Sequence, residues 1–481
     1  ALNEGRGTEV WRNHLASFIR EVNEHDRIFL ILSCREEYLE YVVPSEVIAN
    51  PRPYPGEDGG PPEDCTPLGK LVRVSVEGFR TTEEREEALQ KFMDEKGIAR
   101  PTAPVLDVEF FKPLFISSVC RAMANAGIRV FPRGLRGARQ IFEFVLATKA
   151  KALKTPYDGT SRVHKALLAT LDDIAGIMVE RRKDHVPLQD AVDLIDSAFK
   201  ALPISDQIWL DVLAGSDILR IDIEDSNKIT GDWSRPNEVV RFSFQRLQDN
   251  LIAERLLGQC CNVEDAFEPD APFSFLIQRY QKDGKTFIKP NPRWVGVLGA
   301  LWSAVADKHG KELWDLRSFF DSPDTHFYLR DFRPIFHISI RERTGTAFTQ
   351  NTRDIFNRLW EDEQEEKLAI ILSTSCVPGH AWNADFMFER LLPIPLADRD
   401  STWSRWFTSV RSDLVDRAEE IIDWALNVDA RIAHAEVARL AGITLTWLFT
   451  VTNRNIRDRA TKGLVNLLVG VPALFPKLIN R

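Results

Sequence analysis

Strand-like patterning in this chain is confined to its first eighty residues and to one later hairpin, while everything else carries helical spacing. That distribution restricts the fold to a short α/β opening followed by a mainly helical body. Within the opening, Trp11, Leu15, Phe18, Ile19 and Val22 fall at helical intervals behind Thr8, a suitable N-cap. Ile28 to Leu32 is an unbroken aliphatic run, the pattern of a strand buried on both faces of a parallel sheet. A second such run, Leu71 to Val76, follows a segment from Asn50 to Pro67 whose six prolines and three glycines exclude regular structure.

From Thr81 onward the pattern becomes helical. Thr81 and Glu84 are spaced as a capping box, Ala88, Leu89, Phe92 and Met93 form a stripe, and Gly97 stands where the helix should end. Alternation returns at Ile218 to Ile223 and at Val239 to Phe244, around a turn-rich stretch holding Gly231 and Pro236. A hairpin after three helices predicts a winged helix. Beyond Leu257 come successive amphipathic helices, with nine of the twelve tryptophans, whose predicted role is to fill gaps between stacked helices. A concave protein-binding surface is the alternative reading of those tryptophans.

The 481 residues exceed what one core accommodates and predict about two to four domains. With 71 acidic against 62 basic side chains the net charge is -9, which disfavours nucleic acid as a partner except at a local patch. The longest apolar stretch, Gly296 to Ala306, is far short of the roughly 20 residues a membrane span requires. Six cysteines without CxxC spacing predict reduced thiols and a cytoplasmic setting, with adjacent Cys260 and Cys261 packed in a core. Seven basic residues from Arg129 to Lys154, Lys149 among them, face the single acid Glu143 and read as a solvated helix face. The acidic run at 361–366 reads as a solvated helix end, and His434 with Asp458 lacks the nucleophile elbow of a hydrolase. No GxxxxGK[ST] occurs; "DGKT" at 283–286 has Arg279 where the first glycine belongs and reads as a hairpin or loop.

Several segments resemble the STAND-class, NACHT-like P-loop NTPases. "ALNEG" at 1–5 looks like the tail of their Walker B motif, and "LILSCREEY" looks like the sensor strand with its arginine. "KPLFISSVCRAM" and "FPRGLRGARQIFEFVL" resemble lid elements, and "RFSFQRLQDNLIAERLL" resembles the winged-helix segment. "KHGKELWDL" and "TNRNIRDRATKGLVNLL" are similar to segments of the bacterial antiviral Avs (AVAST) group.

The resemblance implies an α/β partial P-loop core at 1–80, a helical lid at 81–150, a winged helix at 151–258 and a helical repeat array, TPR- or HEAT-like, at 259–481. The chain would then begin within Walker B, downstream of the phosphate loop. The resemblance further implies that Glu4 is the catalytic acid with Asn3 beside it, that Arg35 meets the γ-phosphate, and that Pro113 lies against the base. Gln245 falls where relatives carry a β-phosphate-reading histidine, and Arg246 is a substitute for it. ATP and Mg²⁺ are the implied cofactors. A protein ligand on the repeats, such as a phage protein, and a second copy of the chain on activation are the implied partners. Two other readings remain open, a helical-repeat binding scaffold with a degenerate NTPase half and a winged-helix DNA-binding regulator.

Overall fold

The computed structural model describes residues 8–25, 27–28, 30–33, 43, 65–66, 69–70, 79, 81–104, 108–131, 137–152, 160–200, 208–224, 237–282, 285–319, 329–343, 347–359, 364–405, 407 and 413–479. They are mainly helical, and the chain divides into two compact units.

The first unit takes in residues 1–77, 184–193 and 219–241. Helix α1 (Thr8–Asn23) follows the predicted stripe, with Leu15 and Ile19 buried, Trp11 half-buried and Phe18 left 38% exposed. Among the described residues the aliphatic run after it forms no strand. Ile28 and residues 30–33 carry no ladder, and Ile31 is 93% exposed. An aliphatic run becomes a buried strand only where neighbours pair both of its edges, and among the described residues nothing pairs with this one. The run Leu71 to Val76 lies outside the described residues, and, contrary to the irregularity expected of the proline-rich segment, β1 (Cys65–Thr66) at its end pairs with β2 (Gly69–Lys70) in a short antiparallel ladder.

The unit's larger sheet holds β3 (Val186–Pro187), β4 (Leu219–Ile223) and β5 (Glu238–Phe242) in the order β3-β5-β4. Pro187, which has no N–H to give, sits on an edge strand antiparallel to β5. At the strand ends the buried ring of His185 joins Asp184 Oδ1 at 2.9 Å to Glu224 Oε1 at 3.3 Å.

In the second unit, α2 (Thr82–Lys96) begins and ends as its sequence dictates. The Thr81 hydroxyl accepts from the Glu84 N–H at 3.1 Å, and Gly97 closes the helix at φ +62°. There follow α3 (Pro113–Asn125), α4 (Gly137–Ala152) and α5 (Thr160–Arg181). Next, α6 (Leu188–Phe199) and α7 (Trp209–Gly215) carry the chain from β3 to β4, and α8 (Gln245–Gln259) follows β5. Cys260 beyond it is half-buried and Cys261 exposed, so this pair caps a helix end instead of filling a core.

Next, β6 (Ile277–Lys282) pairs with β7 (Lys285–Pro290); Lys285 and Thr286 of the "DGKT" sequence belong to β7, and Asp283 and Gly284 lie outside the described residues. β7 leads into α9 (Val295–His309), where the long apolar run is buried from Val297 to Ala306. Among the described residues no helix is long and apolar enough to cross a membrane.

The remaining helices are α10 (Leu329–Glu342), α11 (Gln350–Leu359), α12 (Gln364–Thr374) and α13 (Ala384–Leu391), then a short α14 (Leu396–Arg399) continuing into a π turn. The last four are α15 (Asp413–Asn427), α16 (Ala435–Leu448), α17 (Arg454–Gly470) and α18 (Leu474–Ile479). Tryptophan fills their interstices, since Trp302, Trp382 and Trp403 are each at most 1% exposed and Trp294, Trp424 and Trp447 are buried. Between α9, α10 and α11 a wholly buried ion pair joins Glu312 to Arg343 at 2.6 Å. The Trp302 indole N–H donates to the same carboxylate at 2.7 Å, and so does the Thr352 hydroxyl.

Helices far apart in sequence are tied as well. Buried Arg85 of α2 pairs with Glu420 of α15 at 2.9 Å, Thr82 donates to Glu419 at 3.0 Å, and Trp424 donates to the Pro101 carbonyl at 3.1 Å. Gly470 closes α17 against Ala430, whose backbone carbon would lie 2.9 Å from an added Cβ. Gly470→Ala therefore costs about 1–3 kcal/mol of unfolding free energy, to be measured by urea titration.

Candidate functional site

The best-built polar site lies where the first turns of α3 and α8 meet. The local sequence explains both turns. Pro113 opens α3 at its first position, where a missing N–H is harmless, and Lys112 before it makes no side-chain cap. Phe244 precedes α8 and makes none either, so the N–H groups of both first turns lack a side-chain acceptor from the cap residue. The two turns are joined by edge-to-face packing of Phe115 on Phe244 at 5.1 Å, with Phe142 of α4 at 5.6 Å from Phe115.

The charged groups here are Glu109, Lys112, Arg246 and Asp249, with Gln245 among them. Glu109 is buried, and Lys112 reaches it at 3.0 Å. Exposed Gln245 donates its amide to Asp249 Oδ1 at 2.9 Å, one helical turn on. Arg246 pairs with Glu342 of α10 at 3.1 Å. Asp249 is 7% exposed, and burial pushes its carboxyl up to about 6 against the smaller, opposing effects of Gln245 and Arg246. Its carboxylate lies against the first turn of α9 at Gly296, where an added Cβ would stand 2.0 Å from Oδ2. Only glycine admits the carboxylate there.

Behind this site Lys149 of α4 is 4% exposed, contrary to the solvated face its neighbours suggest. Its ammonium donates to Ser118 Oγ at 2.6 Å and to the Ser216 carbonyl, and lies 5.8 Å from the Phe244 ring. Burial pulls its pKa down to about 8, although Asp217 nearby favours the charged form. Lys149 is thus a buried strut holding α3, α4 and the turn after α7 together. Of the other basic residues in that stretch, Arg129 donates to the Lys96 carbonyl and Arg139 pairs with Glu143 at 3.1 Å and Glu254 at 2.9 Å.

Among the residues singled out in the sequence, Pro113, Gln245 and Arg246 are brought into one neighbourhood. Asn3, Glu4 and Arg35 lie outside the described residues. Among the described residues no three His, Cys, Asp or Glu side chains form a group able to hold a metal ion. Sequence reasoning missed Glu109, Lys112, Asp249 and Gly296. Asp249 had a signal, since it stands four residues after Gln245 on one helix face; Gly296 had none, because its partner is 47 positions away.

Comparison with protein-family models, with curated proteins and with solved structures finds no match for this chain.

Proposed function

We propose that the chain belongs to a signal-transduction ATPase of the STAND class, in which the α3–α8 junction responds to bound nucleotide and the helices after residue 259 sense a protein ligand. One observation carries the reading. The helix opened by Pro113 and the helix carrying Gln245 and Arg246 start side by side, joined through Phe115 and Phe244. The order β3-α6-α7-β4-β5, with β5 between β3 and β4, supports a winged helix ahead of α8.

In the arrangement described, Gln245 is held by Asp249 and Arg246 by Glu342. A phosphate arriving at these first turns competes with two carboxylates, so nucleotide shifts the junction only by its difference in affinity between the two arrangements. Uncapped N–H groups and an arginine favour the anion. Opening of the junction would free surfaces for oligomerisation and for an effector, with defence against phage as the biological setting. Asn3 and Glu4 are the proposed hydrolytic residues.

The test uses the full-length gene product. Glu4→Gln is expected to lower ATP turnover at least a hundredfold while ATP stays bound, and Arg246→Ala to weaken ADP about tenfold by calorimetry. A gene product that binds neither ATP nor ADP at millimolar concentration overturns the proposal and leaves the helical-repeat scaffold.

A further inference from the structure

Asp249 shares its helix with the two groups assigned to phosphate, and both of them act on it in the arrangement described. Gln245, one turn earlier on α8, gives its amide to Asp249 Oδ1 at 2.9 Å. The Arg246 guanidinium favours the charged carboxylate through space. The carboxylate is 7% exposed, and Oδ2 occupies the place that a side chain at Gly296 of α9 would need.

The elements packed around this part of α8 leave the charge balance close to even. The segment before α3 brings Glu109 and Lys112, which pair with each other at 3.0 Å and act on Asp249 in opposite directions. From α9 come Gly296 and, ahead of its first turn, the exposed Arg293. Asp172 of α5 and Arg139 of α4 are directed at Arg255 and Glu254, more than a turn farther along α8. Glu342 of α10 faces Arg246 at 3.1 Å.

A phosphate at the first turn of α8 changes this balance in one direction. It takes the Gln245 amide and the Arg246 guanidinium for itself, so Asp249 loses the hydrogen bond and the charge that favour its ionised form. The phosphate is also a like charge close by, which disfavours ionisation further. Burial leaves little water to offset these losses. Without the anion, the carboxyl titrates at about 6, so most molecules carry it ionised near pH 7 and have a proton to gain.

We infer, resting on the reading of this junction as a nucleotide sensor, that binding of a nucleotide phosphate here is coupled to proton uptake, with Asp249 as the acceptor. The bound state then holds the proton more firmly than the free state, and by linkage nucleotide is held more tightly as pH falls. With charge effects of ordinary size, about 0.4–0.8 proton is taken up per nucleotide near pH 7, and ADP binds about five- to twentyfold more tightly at pH 6 than at pH 8.

The test is calorimetry of ADP binding to the full-length gene product in buffers of different ionisation enthalpy, which counts protons. Asp249→Asn stands in for the protonated residue, since asparagine keeps an oxygen for Gln245 without charge. The wild type is expected to take up about 0.4–0.8 proton more than this variant near pH 7, the ionisation of ADP itself being common to both. At about pH 8 the variant binds ADP roughly tenfold or more tightly than the wild type, and the two converge by about pH 5. A residue that only supports the fold changes affinity by the same factor at every pH. Equal proton counts in the two proteins, or fewer protons taken up by the wild type, overturn the inference and leave the nucleotide reading standing. No binding of ADP at millimolar concentration overturns both.

Discussion

Replacing Glu312 with glutamine lowers the unfolding free energy by about 3–5 kcal/mol near pH 7, because the Arg343 guanidinium is then left charged and unmatched in a site with no solvent access. The carboxylate takes two nitrogens of Arg343, at 2.6 and 2.8 Å, besides the Trp302 indole and the Thr352 hydroxyl. Burial by itself would raise the Glu312 pKa. The hydrogen bonds and charge of Arg343, with Thr352 and Trp302, outweigh it and hold the group below the usual carboxylate range. A lowered folded pKa means that this contribution is fully present above the unfolded value of about 4.3 and is lost as pH falls through the folded one. Urea titrations should therefore show the wild type losing stability on acidification below about pH 4.3, with a smaller loss in Glu312→Gln. Equal loss in both proteins would show that the pair contributes nothing.

Asp249→Asn is expected to act in the opposite direction, raising stability by up to about 3 kcal/mol near pH 7.5. The folded protein holds the Asp249 proton up to about pH 6, whereas the unfolded chain releases it near its ordinary value of 3.8. Between those limits the folded state binds more protons, so stability falls as pH rises from about 4 to 6 and the cost is complete above 6. Asparagine keeps an oxygen for Gln245 without carrying charge. The gain of the variant should shrink toward zero by about pH 4. A destabilised variant at pH 7.5 would mean that the carboxylate is matched by a cation in the folded protein.

Local signals in the sequence were legible where the cause of the structure is local. The Thr81–Glu84 cap, the Gly97 stop, the α1 stripe and the β4–β5 pair are set by residues close together in sequence, so neighbours specify them. Readings that depend on distant partners fared worse. The aliphatic run at 28–32 has strand composition, but composition does not supply the paired neighbours a buried strand needs. Lys149 sits among basic residues that suggest solvent, yet a serine on α3 and a carbonyl after α7 draw it inside. The candidate site divides the same way. Pro113, Gln245 and Arg246 were singled out through a resemblance to known motifs, whereas the fit of Asp249 against Gly296 depends on two helices meeting and leaves no periodic trace.

The ties from Arg85, Thr82 and Pro101 to Glu420, Glu419 and Trp424 bear on how the polypeptide is made. Their partners are more than 320 positions apart, so α2 emerges from the ribosome long before the helix that neutralises Arg85 has been translated. Contacts of such long range form late and slow the search for the native state. Until α15 has been synthesised, the nascent chain presents Arg85 without its Glu420 contact and the apolar flank at Leu89 and Phe110 to whatever is nearby, and it is during this interval that chaperones have their opportunity to bind.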